Sequence, residues 1–458
     1  MNQSIKIIFS AILCLLFAGA GIADAKVTAQ EAEQLKTTLT PLGGEKAGNK
    51  DGTIPAWDGG YTTPLPGFVN GGRRPNPFKD DKILFTITAQ NMNQYADKLS
   101  EADKALLKKY PDTYRINVYP TRRTAAAPQS VYDNTYKNAT QSYLEGYDVK
   151  SAFAGIPFPI PKTGLEVMWN SMLYVRPSAW HFNNEAFLGT ANGKIVLLNE
   201  AEAIQLMPYY REDLTLETYE KEWDGEYWML RLVPHGPPQK VGENILGRQN
   251  LTGSKSRSWL YMSGQRRVRQ LPRACCDTPL STLSGVIFYD EIEVWGGSEG
   301  LKVFDWKIIG KKEMYIPYNC NKIMEPRDIY EVVHSRHLNP DYVRYELHRV
   351  WVVEATLATG KRHQCPRSLY YIDEDTWEAV GTDRYDASGE LWRSLFSLPI
   401  VMPDVPAVVP LIWGFFDLKT GTWIASNLYN KYDEQFKIMP PYKDMLFTPS
   451  ALEALGVR

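Results

Sequence analysis

Apolar and polar residues change rhythm along this chain. From Lys26 to about Ser151 no period is sustained, and Ile54-Pro-Ala-Trp-Asp-Gly-Gly60, Tyr61-Thr-Thr-Pro-Leu-Pro66 and Gly71-Gly-Arg-Arg-Pro-Asn-Pro77 are dense in turn formers. Such a segment is expected to wrap a core rather than form one. Within it, Thr88 to Tyr110 is helical in pattern, with Ser100-Glu-Ala-Asp103 as an N-cap restarting a second helix before Pro111. Gly155-Ile-Pro-Phe-Pro-Ile-Pro161 reads as a stiff extended connector, and Thr163-Gly-Leu-Glu166 has the form of a capping box. Leu165, Met168, Trp169, Met172 and Leu173 then fall on one face of a short helix that ends before Pro177. That face suits a core-packing helix or, alternatively, a lid over an apolar cavity.

From about Leu214 to Tyr432 the pattern is strand and turn. Glu226–Val233, Ser256–Met262, Gly285–Trp295, Leu301–Ile309, Val343–Leu357, Ser368–Ile372, Thr376–Tyr385 and Thr422–Tyr429 are β-rich, several of them separated by short polar turns. Consecutive strands with short turns predict an antiparallel meander, not βαβ units. Val350 to Val353 is apolar on both faces, so something must cover each side there. No period of about 20–50 residues recurs, which leaves a propeller or solenoid without support. The expected fold is α+β and mostly antiparallel β: one large curved sheet or half-open β-barrel with lid helices and a loop-rich N-terminal wrap. The segment 26–151 and the sheet-bearing segment 152–458 are expected to form one composite globular unit.

The first residues change the picture of where this fold works. Ile7 to Ala18 is almost unbroken apolar and Ala23-Asp24-Ala25 has the small-x-small form of a cleavage site, the pattern of a secretory signal peptide over residues 1–25. Leu13 precedes Cys14 where a lipobox needs a small residue, so lipid attachment there is not expected. No later apolar run reaches the roughly 18 residues of a spanning helix; Val405 to Phe416 is interrupted by Pro406 and Pro410. The mature protein is therefore expected to be periplasmic and soluble, in transient contact with a membrane surface at most. A formal charge of −2 supplies no field for gripping a polyanion, which argues against nucleic acid. The 13 Trp and 27 Tyr suit sheets, apolar ligands and sugars alike.

In an oxidising compartment, Cys275, Cys276, Cys320 and Cys365 are disulfide candidates. Adjacent cysteines on a strand point to opposite faces, so Cys275 and Cys276 are expected to bridge separately to Cys320 and Cys365. Buried free thiols are the alternative. Other apparent sites dissolve under inspection. Gly296-Gly-Ser-Glu-Gly300 matches a nucleophile elbow, but the strand-like Leu301–Ile309 follows it where a helix is required, so it reads as a hairpin turn. His334 and His337 lack zinc-ligand spacing and read as surface histidines, and Asp373-Glu-Asp375 reads as a polar hairpin tip rather than a calcium loop. No phosphate-cradling loop or dinucleotide fingerprint is present, so no cofactor, metal or catalytic residue is expected.

Four stretches carry a resemblance: Trp259–Arg269, Tyr342–Thr356, Tyr371–Trp377 and Tyr385–Trp392, joined by Ile54–Gly60 and the terminal Phe447–Gly456. Together they resemble a bacterial secreted family, domain of unknown function 1329, akin to outer-membrane lipoprotein-sorting proteins. The resemblance implies a half-open barrel closed by helices, as in the carriers LolA and LolB. It also implies partnership with a resistance-nodulation-division permease and an outer-membrane protein. It brings no catalytic residues, and the vicinal cysteines fall outside it. A carrier makes physical sense, because each acyl methylene hidden from water is worth about 0.8 kcal/mol and a long chain on the order of 10 kcal/mol. The expected ligand, a lipid or other hydrophobic small molecule, would meet Leu165, Met168, Trp169 and Met172 on the helix and Trp259, Tyr261 and Trp351 on the sheet. Arg266, Arg267 and Arg269 would meet anionic headgroups at a cavity mouth, or else be solvated on an outer face. A polysaccharide-binding module with exposed aromatics and a secreted hydrolase are the rival classes.

Overall fold

The computed structural model describes residues 27–272, 275–280, 283–291 and 297–456; the leader expected at 1–25 lies outside them. The sheet is made of two antiparallel meanders. The first runs β5 (Ala179–Gly189), β6 (Ile195–Leu206), β7 (Glu226–Gly236), β8 (Glu243–Asn250), β9 (Arg257–Met262) and β10 (Arg267–Gln270). The second runs β11 (Phe304–Pro317), β12 (Tyr345–Leu357), β13 (Arg367–Asp373), β14 (Ala379–Tyr385), β15 (Leu391–Met402), β16 (Ala407–Asp417) and β17 (Trp423–Leu428). They meet where β17 pairs antiparallel with β5, with Trp423 opposite Gly189 and Ala425 opposite Phe187. The result is one curved, unclosed antiparallel sheet in which β10 and β11, neighbours in sequence, occupy opposite ends. Short strands β1 (Phe85–Ile87) and β2 (Ile116–Val118) extend it beside Tyr345, β3 (Tyr143–Glu145) and β4 (Asp148–Lys150) form a separate hairpin, and β18 (Phe436–Ile438) caps β5.

Helices pack around this sheet: α1 (Ala29–Ala32), α2 (Glu101–Lys109), α3 (Gln129–Gln141), α4 (Gly164–Met172), α5 (Leu216–Trp223), α6 (Gly297–Leu301) and α7 (Pro449–Gly456). Local chemistry sets their ends. Ser100 Oγ accepts the Asp103 amide at the start of α2, and Thr163 with Glu166 closes a full capping box on α4, both as the sequence predicts. The wrap also holds a 3₁₀ turn, Met92–Lys98, where a continuous helical pattern from Thr88 is expected. A single large core runs from Leu42 to Leu452 and takes side chains from the wrap and the sheet together. At the seam both faces are apolar: Phe416 and Trp423 point into that core. Phe415 and Ile424 point the other way, under Leu283 and Ile287 of the β10–β11 connection.

Several expectations are corrected. The strand-and-turn region starts earlier than Leu214, because β5 and β6 precede it, and α5 lies inside it. Of the expected strand Gly285–Trp295, the described part, residues 285–291, is not a strand: Tyr289–Glu291 is a 3₁₀ turn and a bridge joins Pro279 to Phe288, while residues 292–296 lie outside the described ones. The glycine-rich Gly296–Gly300 stretch is no hairpin turn, since Gly297–Leu301 is a helical turn and the strand after it begins only at Phe304. Asp373-Glu-Asp375 does sit at a hairpin tip, yet all three residues are buried. Arg123 from the wrap donates to Asp375 at 2.6 and 2.8 Å, and Arg349 donates to Glu374 at 2.5 Å. His337 is buried, not a surface residue.

The expected cysteine pairing is wrong, and the alternative of buried free thiols holds for two of the four. Cys275 and Cys276 are bonded to each other, and Cys320 and Cys365 are free and buried. The alternation argument needed a strand, but this pair lies in a turn, with Cys276 in the left-handed region (φ 64°) and the Thr278 amide donating to the Cys275 carbonyl. Burial pushes the Cys320 thiol up to about 12 and the Cys365 thiol up to about 11, so neither is a ready nucleophile.

Two outcomes follow from this arrangement. Peptide mapping without reduction should find Cys275 and Cys276 linked within one peptide. Cys320 and Cys365 should alkylate only after denaturation, and a bridge from either of them to the vicinal pair would contradict the fold. At the seam, an added Cβ on Gly189 would come within 1.8 Å of Trp423 Nε1. Gly189→Val should therefore lower stability by at least about 1–3 kcal/mol in urea unfolding, whereas Gly264→Ala, with open space around it and no left-handed backbone angle, should change it far less.

Candidate functional site

The residues proposed from sequence do not converge. Met168, Trp169 and Met172 are fully buried in the main core, Leu165 partly so, and Trp169 Nε1 donates to the Tyr147 carbonyl at 3.0 Å. The α4 face is thus satisfied by protein, packed against β11 and β12. Trp351 runs nearly parallel to Trp377 (centroids 6.2 Å apart), and the Lys311 ammonium lies 4.6 Å from its ring centre. Trp259 is half-buried. Tyr261 is buried under α7, donating its hydroxyl to the Gly456 carbonyl at 3.0 Å. Gly456 has to be glycine here, because a Cβ would meet the Tyr261 ring at 2.0 Å. Arg266, Arg267 and Arg269 are exposed on the β9–β10 hairpin at the end of the sheet and line none of the cavities described below.

A different group of residues encloses space. An apolar cavity of about 70 Å³ lies between α2, the sheet and the loop around Leu338 to Val343. Leu106 of α2 lines it together with Met314, Ile316, Leu395, Phe396, Leu398 and Phe416. This position follows from how α2 is held. Its first two amides, Glu101 and Ala102, donate to the Asp383 carboxylate at 2.9 and 3.0 Å, and Tyr371 donates its hydroxyl to the same carboxylate at 2.7 Å. A carboxylate at a helix N-terminus is favoured by the exposed amides and the helix dipole. The buried apolar residues of α2 are Ala102, Leu106 and Leu107, of which Ala102 and Leu106 line the cavity.

One corner of the cavity is polar. Asp103, Tyr114 and Tyr345 all line it and all approach one another. Tyr114 Oη stands 3.4 Å from Asp103 Oδ1 and 3.4 Å from Tyr345 Oη, which in turn stands 3.5 Å from Asp103 Oδ1. The other carboxylate oxygen, Oδ2, accepts the Ser100 hydroxyl at 2.6 Å. Burial, with Asp383 nearby, raises the Asp103 carboxyl to about 6. Burial raises both tyrosines as well, so their hydroxyls stay protonated donors. His337 borders the cavity with both ring nitrogens engaged: Nδ1 donates to the Leu338 carbonyl at 2.7 Å, and Nε2 accepts the Thr113 hydroxyl at 3.0 Å. Because a carbonyl only accepts, Nδ1 carries the proton, and burial keeps the ring neutral. Arg115 at the rim is paired with Asp341 at 2.6 Å.

None of these cavity residues is singled out by a local motif. Asp103 reads as part of a helix cap, which it is, and Tyr345 as one aromatic in a long strand. A second, polar hollow of about 360 Å³ lies beside Cys275, lined by Gln249, Ser256, Arg257, Gln270 and Glu299 among others. Among the described residues no group of His, Cys, Asp and Glu is placed to hold a metal ion.

Comparison with known proteins agrees with the sequence resemblance. The chain is 37% identical over 446 residues to an uncharacterized protein of Pseudomonas aeruginosa, covering 95% of each. A crystal structure of a DUF1329 family protein from Desulfovibrio piger superposes with a TM-score of 0.42 at 14% identity, over 63% of this chain and 97% of that one. A putative outer membrane lipoprotein-sorting protein domain from Vibrio parahaemolyticus gives 0.43 at 13% identity, over 63% and 98%. A LolA superfamily protein from Nitrosomonas europaea gives 0.37 at 11% identity, over 63% and 98%. The family model described as "Protein of unknown function (DUF1329)" matches residues 86–453, and the chain belongs to that family.

Proposed function

We propose that this protein is a periplasmic carrier that shelters a lipid or other hydrophobic molecule beneath α2 and passes it on unchanged. The observation that carries the reading is the apolar cavity between a lightly anchored helix and a rigid sheet, with a single polar corner. Binding sites for small apolar molecules have this composition: many hydrophobic walls and few, converging polar groups. The secretory pattern at the N-terminus supports the compartment, and among the described residues no helix is long and apolar enough to cross a membrane.

Size decides the mode of entry. At about 70 Å³ the resting cavity is smaller than the roughly 150 Å³ that admits a benzene ring. A longer chain enters only if α2 moves. Lifting α2 exposes chiefly Leu106 and Leu107, about 1.5–3 kcal/mol each. Some four to eight sheltered methylenes, at about 0.8 kcal/mol apiece, offset that. The lid role considered for α4 therefore falls to α2. The partners implied by the family resemblance, a resistance-nodulation-division permease and an outer-membrane protein, would receive or supply the cargo.

Gently purified protein should release a hydrophobic small molecule to organic extraction and mass spectrometry. It should also bind the neutral probe N-phenyl-1-naphthylamine saturably. Leu106→Phe fills the cavity and should weaken probe binding at least tenfold while lowering the melting temperature by only a few degrees. By contrast, Met168→Asp in α4 should unfold the whole chain. Probe affinity unchanged in Leu106→Phe, or no saturable binding at all, would overturn the carrier reading.

A further inference from the structure

The geometry points to a ligand of defined head chemistry: the cavity takes an apolar molecule ending in a neutral hydroxyl, which docks among Asp103, Tyr114 and Tyr345, and it discriminates against carboxylates. This rests on the carrier reading and deepens it. The three side chains lie at mutual separations of 3.4, 3.4 and 3.5 Å, beyond the 2.5–3.0 Å of a good O–H···O bond. They are brought together but do not satisfy one another well. A hydroxyl oxygen set among them replaces stretched contacts with short ones, donating its proton to Asp103 Oδ1 and accepting from Tyr114 or Tyr345.

The acidic surroundings set the selectivity. Asp103 lies close enough to Asp383 for the second carboxylate to raise the first, and His337 is held neutral. The guanidinium at the rim, Arg115, already serves Asp341. A fatty-acid carboxylate would bring a third negative charge into this corner, where the lining cation Arg115 is already paired with Asp341, and burying an unpaired charge is strongly unfavourable. A hydroxyl carries no such penalty and supplies the donor that Asp103 Oδ1 lacks at short range.

The test compares 1-octanol, octanoate and octylamine at pH 8 by displacement of N-phenyl-1-naphthylamine from the full-length mature protein. Octanol should bind at least tenfold tighter than octanoate. Tyr114→Phe with Tyr345→Phe keeps the rings and removes the hydroxyls, and should weaken octanol binding and so narrow that preference, with octanoate still disfavoured by Asp103. Asp103→Asn keeps an acceptor and removes the charge, and should improve octanoate about tenfold. Equal or tighter octanoate binding would overturn the inference, and so would octylamine surpassing octanol, which would mark a cation site. In both cases probe binding, and its loss in Leu106→Phe, would leave the carrier reading standing. Failure of the probe itself to bind would instead sink both.

Discussion

Everything in this molecule hangs on the pairing of β17 with β5. Among the described residues it is the only strand pairing between two meanders that otherwise run in opposite directions from it, and it fixes β10 and β11 at the sheet's far ends. The seam is built by close backbone approach. Trp423 lies flat where Gly189 has no side chain, and the neighbouring Gly414 admits the Phe396 ring and the Ile424 carbonyl within distances no Cβ would tolerate. With glycine on one strand opposite tryptophan on the next, register is set sterically, and a slip by one residue would drive both faces of the sheet into the wrong cluster.

A sheet that is apolar on both faces needs two covers, and the charged residues attach the second one. Arg123 in the wrap reaches Asp375, Arg349 reaches Glu374, and Arg344 is held between Asp81 and Glu346, all largely out of water. On the other side Asp290 and Glu291 of the β10–β11 connection pair with Arg384 and Arg393 of the sheet. Buried ion pairs add little net stability compared with apolar packing, but removing one partner is severe. Their effect here is geometric. Bidentate arginine–carboxylate contacts hold irregular segments at one place on the sheet, where hydrophobic contact alone would let them slide.

What was legible in the sequence was what local chemistry decides. The α4 helix and its capping box, the Ser100 cap and the strands of the second meander up to Tyr385 all announce themselves through spacing and turn residues. Of the two seam strands, β17 is legible as Thr422–Tyr429 and β5 is not. Buried Asn184 and Glu185 interrupt β5, Glu185 being paired with Lys431, so its alternation looked polar. In β15 and β16, Pro399 and Pro410 face one another at a register shift, which tolerates proline inside a sheet but reads as a break. The acidic tip Asp373–Asp375 looked solvated because its partner Arg123 lies 252 residues away from Asp375. The cavity was invisible for the same reason: its wall is assembled from α2, β11, β14, β15 and a distant loop, none carrying a motif of its own.

The contrast between α2 and α4 bears on where the proposed binding site lies in such a fold. Both helices are short, well capped and packed on the sheet, but α4 buries Val167, Met168, Trp169 and Met172, and α2 only Ala102, Leu106 and Leu107. At about 1.5–3 kcal/mol per large side chain, opening α4 exposes roughly twice the apolar energy of opening α2. The α4 tryptophan is also already bonded to the Tyr147 carbonyl. Beneath α2 the packing is incomplete, and the polar groups there are held at the limit of bonding distance. In the proposed carrier, a helix pinned at its N-terminus by Asp383 and burying few large side chains is the element suited to act as a hinge. Sequence amphipathicity identifies helices that must be covered; only the completeness of the cover distinguishes a core helix from a lid.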